Sequence, residues 1–382
     1  MTFNKWTVGL LATGVVSLGS AAMADESPIS SLVSGTTIGG AVDTSAIWKV
    51  GPGSTMANRF VNTAPNRYNG FNLENFEFRI EKPLDESQWS AGYKAEMWFG
   101  QGAAGLPGSL SEGVAVKQAY VVMRAPVGNG LDIKIGQFDS IIGYEVSSSY
   151  MNPNFSRNMG FNIEPFSHTG ALASYQVTEW LGVVGGIADT AFYRINAKEP
   201  WASNGQAPLK GDGTLTYMGA LTLKAPESFG WAAGSQLYAG LVDGGMSSAT
   251  DTVNYYVGLS MPTPIKEITV GVAYDYVTDY GTVIGTNATW NQALSGYLSW
   301  QLTEKLKLNT RGEWAKGNGD VWLTGGDDNA EILAATVTLE YALWDNVVSR
   351  LEGIWEHDLK GGHASDGNNH AWLLLANIAY KF

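Results

Sequence analysis

From Thr36 to its last residue the chain repeats one pattern, stretches of about ten residues in which apolar and polar positions alternate. That period belongs to an extended strand with one wet and one dry face, and no helical period is sustained in its place. In Ile268 to Tyr276, one face carries Ile268, Val270, Val272, Tyr274 and Tyr276, and the other Thr269, Gly271, Ala273 and Asp275. In Lys305 to Trp314, Lys305, Lys307, Asn309, Arg311 and Glu313 share a face, a load of polar groups that a dry core would not accept. Sixteen such segments can be counted, an even number, among them 231–242 and 265–277. Short turns at 83–88, 127–130, 226–230 and 343–346 alternate with long connections at 49–70, 100–113, 141–167, 189–213, 243–251, 278–289, 316–330 and 358–370.

Alternation alone serves a soluble β-sandwich as well as a barrel closed through a membrane. Three features select the barrel. Charged residues make up 15% of the chain, well below the quarter usual for soluble domains. Trp48, Trp89, Tyr276, Trp290, Trp314, Trp355 and Trp372 stand at segment ends, where a lipid–water boundary would fall. Short turns on one side and long loops on the other are the asymmetry of transmembrane barrels. The expected fold is all-β, a transmembrane antiparallel up-and-down β-barrel of about 16 strands.

Residues 1–24 read as an export signal: Lys5 gives the positive start, Val8 to Leu18 the apolar run, and Ala22-Met23-Ala24 the cleavage site. The barrel then occupies 25–382. No other stretch approaches the roughly 18 apolar residues of a membrane helix. The net charge of −13 argues against nucleic acid as a partner, and the absence of cysteine removes disulfides and thiolate metal sites. No cofactor motif is present. His357, His363 and His370 gather with Asp358 and Asp366 around the last long connection, and His168 lies apart. A catalytic or metal site there is the rival reading, but the spacing matches no ligand motif. Gly325 to Glu331 offers loop carboxylates for a divalent contact without the full calcium-loop spacing.

The last segment places Trp372, Leu374, Ala376, Ile378, Tyr380 and Phe382 on one face, with Asn377 and Lys381 on the other. It resembles the terminal strand of bacterial outer-membrane proteins, which implies recognition of Phe382 by the barrel-assembly machinery. The run GQFDSIIGYE from Gly136 to Glu145, the Asn152 to Asn154 segment, and SHTGALASY from Ser167 to Tyr175 resemble the OmpL-like β-barrel porin family. That resemblance implies an outer-membrane channel for passive diffusion of small hydrophilic solutes and ions, with a homotrimer as the default assembly. It also implies that the third long connection, 141–167, folds inward and narrows the pore.

A barrel of this size is too wide for side chains to fill, so its interior should hold water. Alternation points inward Asp43, Glu77, Arg79, Lys94, Glu96, Arg124, Asp132, Lys134, Lys305, Lys307, Arg311, Glu313, Arg350, Glu352 and Glu356. The constriction candidates are Arg79, Lys94, Glu96, Arg124, Lys134, Glu145, Glu164, Arg311, Arg350 and Glu352, with Glu145 and Glu164 on the loop expected to oppose Arg79, Lys94, Arg124 and Lys134. Net acidity points to a mild cation preference. Tyr120, Tyr238, Tyr256 and Tyr297 also fall inward, and a channel specific for one solute class such as sugars would need them at matching heights.

Overall fold

A computed structural model describes residues 35–51, 59–61, 68–85, 87, 89–106, 109–111, 113–189, 215–247, 250–278, 289–318, 330–360 and 369–382. The segment read as an export signal, His363, Asp366 and Gly325 to Asn329 lie outside them. The strands are β1 Thr37–Lys49, β2 Gly70–Lys82, β3 Ser90–Phe99, β4 Ser109–Ser111, β5 Val114–Ala125, β6 Leu131–Asp139, β7 Ser167–Gln176, β8 Leu181–Ala188 and β9 Thr216–Lys224. They continue with β10 Gln236–Ser247, β11 Thr250–Pro262, β12 Ile268–Thr278, β13 Trp290–Gln301, β14 Leu306–Gly317, β15 Ala330–Ala342, β16 Val347–Asp358 and β17 His370–Lys381.

Each barrel strand pairs antiparallel with its sequence neighbours, and β17 closes the sheet on β1, from Ala41 opposite Lys381 to Lys49 opposite Leu373. β4 pairs only with β5, inside the second long connection, so sixteen strands form the barrel. Closure satisfies every sheet edge, which is what allows strands to cross a bilayer. Among the described residues no helix is long and apolar enough to do so.

Burial follows the alternation. On β17, Trp372, Leu374, Ile378, Tyr380 and Phe382 are exposed on the outer face while Ala371, Leu373, Leu375, Asn377 and Ala379 are buried. Phe382 completes the seam: its backbone exchanges hydrogen bonds of 2.9 and 3.1 Å with Gly40, and its ring stacks on Phe76 at 6.2 Å. A Cβ at position 40 would collide with the Phe382 ring and the Glu77 carbonyl, so glycine is required where the last residue docks.

Four local expectations are corrected. The segment placed at 231–242 begins at Gln236, because Pro226 opens a 3-10 turn over Glu227–Ala232 and Gly230 and Gly234 adopt positive φ. The segment expected at 265–277 begins at Ile268, where Thr263 donates back to the Ile268 carbonyl and forms a turn. The long connection expected at 243–251 is mostly strand: β10 and β11 stay paired out to Ser247 and Thr250. Lys305 is an exposed turn residue rather than a lumen residue, because its carbonyl accepts from Ala342 in the β14–β15 neighbourhood before β14 begins.

Candidate functional site

The segment between β6 and β7 lies inside the barrel. It leaves beside Ser140, whose N–H donates to Phe166 O at 3.1 Å, so both limbs start and end together. The outgoing limb crosses β10 to β14. Ile141 O accepts from the Tyr238 hydroxyl, Tyr144 stacks on Tyr297 at 4.2 Å, and Glu145 meets Arg311 at 2.8 Å. The tip reaches β16, β1 and β2: Arg350 donates to Ser149 O (2.9 Å) and Asn152 O (3.0 Å), Ser149 donates to Asp43, and Ser148 and Tyr150 donate to Glu77 at 2.8 and 2.9 Å.

The return limb crosses the same strands in reverse. Asn154 donates to Thr338 (2.7 Å), the Phe155 and Ser156 amides to Glu352 (2.6 and 3.0 Å), the Met159 amide to Glu313 (2.7 Å), and Asn254 to Ile163 O (2.5 Å). An irregular segment has no ladder of its own, so its buried backbone groups need partners elsewhere. The wall carboxylates supply them.

Arg311 is the centre of this network. Its guanidinium pairs with Glu145 and Glu313, each at 2.8 Å, and donates to the carbonyls of Ser156 (2.8 Å) and Arg157 (3.0 Å). A second arginine arrives from the first long connection: Arg59 pairs with Glu313 at 2.7 Å and Glu356 at 2.6 Å, and its carbonyl accepts from the Arg157 amide at 2.8 Å. Phe60 beside it packs with Phe155, Ile47, Ile354, Leu373 and Leu375. The return limb is therefore held between the wall and the Arg59 segment.

Burial raises the Glu145 carboxyl above its ordinary value, while Arg311 and Arg157 pull it back. Burial pushes the Arg157 guanidinium down to about 10 against the pull of Glu145. At the loop root Glu164 pairs with no lysine or arginine among the described residues. It faces Asp275 of β12, and burial followed by the charge of Asp275 raises it well above 4.5. The limbs fit closely here: a Cβ on Gly143, whose φ is +121°, would strike the Glu164 carboxylate.

The ten candidates separate into groups. Glu145, Arg311, Arg350 and Glu352 meet within the loop's contacts, and Glu164 stands at its root. Arg79 lies 3.8 Å from Glu81, Lys94 pairs with Glu96 at 3.0 Å, and Arg124 pairs with Asp132 at 2.6 Å beside a short turn. The Lys134 ammonium lies 4.4 Å above the Tyr120 ring. The expected opposition of Glu145 and Glu164 to Arg79, Lys94, Arg124 and Lys134 is replaced by contacts with Arg311 and Asp275. The loop turns toward β10–β2, where wall carboxylates can accept its amides, while Phe161 on the return limb joins a buried cluster with Trp98 of β3 and Ala115 of β5.

Glu74, Lys117, Arg59 and Arg157 are additional buried charges. Glu74 and Lys117 occupy β-bulges, at the register shifts opposite Asp43/Thr44 and Glu96/Met97. Of the histidines, His168 is buried on β7, whereas His357 and His370 stack at 4.3 Å on the outer face while Asp358 is buried on the inner one. The described histidines and Asp358 therefore do not converge.

A family profile matches residues 35–382, that of "Putative beta-barrel porin-2, OmpL-like". The chain belongs to this family. No curated protein matches it significantly. Among solved structures it is similar to the outer membrane channel DcaP of Acinetobacter baumannii (TM-score 0.59, 10% identity, covering 91% of this chain and 97% of that one). It is also similar to an anion-selective porin from Comamonas acidovorans (TM-score 0.59, 9% identity, 91% and 99% covered). The trimer form of Vibrio cholerae OmpT gives 0.55 at 11% identity, with 91% and 99% covered. At such identities the likeness carries the fold, and the family carries the class: an outer-membrane porin.

Proposed function

We propose that this porin passes small hydrophilic solutes and ions by passive diffusion, with a mild preference for cations. The observation that carries the reading is the inward-facing charge. Among the described residues eleven acidic side chains are buried against six lysines and arginines, on the inner face of the sheet and on the connections within it, while the outer face is apolar. Such a load is tolerated where water and paired partners share the interior. The acidic excess favours cations in a narrow passage. The ten candidates act by lining that passage, with 141–167 as its narrowing loop.

Further parts of the same reading are an export signal over 1–24, recognition of Phe382 during assembly, and a homotrimer, as in the trimer form of the Vibrio cholerae relative. Liposome swelling with graded sugars and amino acids tests the diffusion claim, since uptake should fall smoothly with solute size. Reversal potentials under a salt gradient test the sign, and strong anion selectivity would contradict it.

The sugar-channel alternative draws on Tyr120, Tyr238, Tyr256 and Tyr297, which pack in one cluster. Tyr256 and Tyr297 are buried within it, so only Tyr120 and Tyr238 offer half-exposed rings. A continuous track for sugars is therefore short of rings.

A further inference from the structure

We infer that the lumen holds a binding subsite for amphipathic anions, small carboxylates with an apolar or aromatic body, formed by Lys134 and the apolar wall beside it. This rests on the channel reading above and adds a solute class to it.

Two observations meet at Lys134. The first is its lack of a counter-charge. Lys94 pairs with Glu96, Lys117 with Asp139, Arg124 with Asp132, and Arg311 and Arg350 with glutamates, whereas Lys134 has no ion pair among the described residues. Asp139 on its own strand is taken by Lys117. The Lys134 ammonium instead lies 4.4 Å over the Tyr120 ring and 5.8 Å from the Phe138 ring. A ring face holds a cation in place but leaves its charge unneutralised.

The second is the surface next to it. Lys134 stands opposite Leu172, Leu172 opposite Gly186, Gly186 opposite Met218 and Met218 opposite Val242. This row of the wall passes from the ammonium onto apolar residues that are themselves buried, so the surface open to a solute is that of the side chains packed against them. Leu172, Met218 and Val242 belong to one cluster, against which Tyr120, Val184 and Tyr238 pack half-buried, still presenting part of their surface to the lumen. Hydrated ions gain nothing from such a wall, whereas a solute with an apolar body gains by covering it. The ammonium then selects the carboxylate end. Hydroxyl-rich solutes fit less well, because the Tyr238 hydroxyl already donates to Ile141 O. Small inorganic ions respond to the summed acidic lumen, so the local subsite and a cation preference in simple salt coexist.

The test uses the full chain in planar bilayers with three probes sharing one ring: benzoate, benzyl alcohol and benzylammonium. Benzoate should interrupt the current at about tenfold lower concentration than either of the others, the ratio expected for one charge-assisted contact. Lys134→Gln should bring benzoate to the level of benzyl alcohol, and Lys134→Arg should retain the preference. Equal potency of the three probes on the unmodified protein overturns the subsite without any variant having to fold, and so does an intact benzoate preference in Lys134→Gln. A pore that conducts salt but ignores charge on the probe removes the subsite alone. No salt conductance at all removes the channel reading beneath it.

Discussion

The two sides of the lumen are built on opposite principles. Strands β7 to β10 bury no aspartate, glutamate, lysine or arginine; their inward positions include Leu172, Val184, Ala188, Met218 and Val242. Strands β14 to β17 and β1 to β5 bury Arg311, Glu313, Arg350, Glu352, Glu356, Asp358, Asp43, Glu74, Glu77, Lys94, Glu96 and Lys117. The inward loop starts on the apolar side, with Ile142 packed in that cluster, and spends its length on the charged side. The difference shows how one barrel can both hold an irregular segment and keep a passage. Carboxylates give the loop's amides partners they would otherwise lack, whereas the apolar arc meets the start of the loop through Ile142 and the Tyr238 hydroxyl.

The contrast between the two arcs depends most on Arg311. Arg311→Ala leaves Glu145 and Glu313 buried beside carbonyls that have lost their donor. A loss of about 3–5 kcal/mol is expected in urea unfolding of the lipid-reconstituted barrel. A loss below about 1 kcal/mol would mean that the charged arc does not hold the loop. On the opposite side, Leu172→Ala should cost about 2 to 3 kcal/mol, the lower part of the range for buried leucine because lumen water can enter the void. Equal costs at both positions would erase the distinction between the arcs.

A gentler probe is the loop root, where the two arcs meet. The folded Glu164 value lies above the ordinary 4.5, so its neutral form is the one the fold accommodates. Stability from this group is complete below 4.5 and declines as pH rises through the raised folded value. Open-channel current noise from loop motion should therefore grow with pH, and Glu164→Gln should flatten that dependence. Noise that grows toward acid would reverse the assignment. The smallest effect is expected outside the lumen: Lys360, half exposed and 3.4 Å from Glu331, should change stability by no more than about 0.5 kcal/mol when replaced by alanine.

Much of this was legible in the sequence, for a specific reason. A strand's two-residue period ties each side chain to a face, so alternation located the sixteen strands, the outward row ending at Phe382, and the inward Arg311, Arg350 and Glu352. Bulges break the period, and that is where reading by period failed. Glu74 adjoins the buried Asn75, and strict alternation from Tyr120 would send Lys117 into lipid. A lysine at a position read as lipid-facing was itself the available signal of a bulge. Arg59 and Arg157 had no such signal, since neither lies on a repeating element. Loop length suggested an inward fold for 141–167, but which wall it would touch depended on partners scattered over ten strands.

A conducting path should run through the closed sheet, beside the inward loop. Single-channel recording of the purified full chain in planar bilayers measures it. Stepwise current increments in potassium chloride are expected, with a reversal potential of the sign for mild cation preference. Protein shown to be folded by its heat-dependent gel mobility, yet giving no increments at any voltage, would contradict such a path.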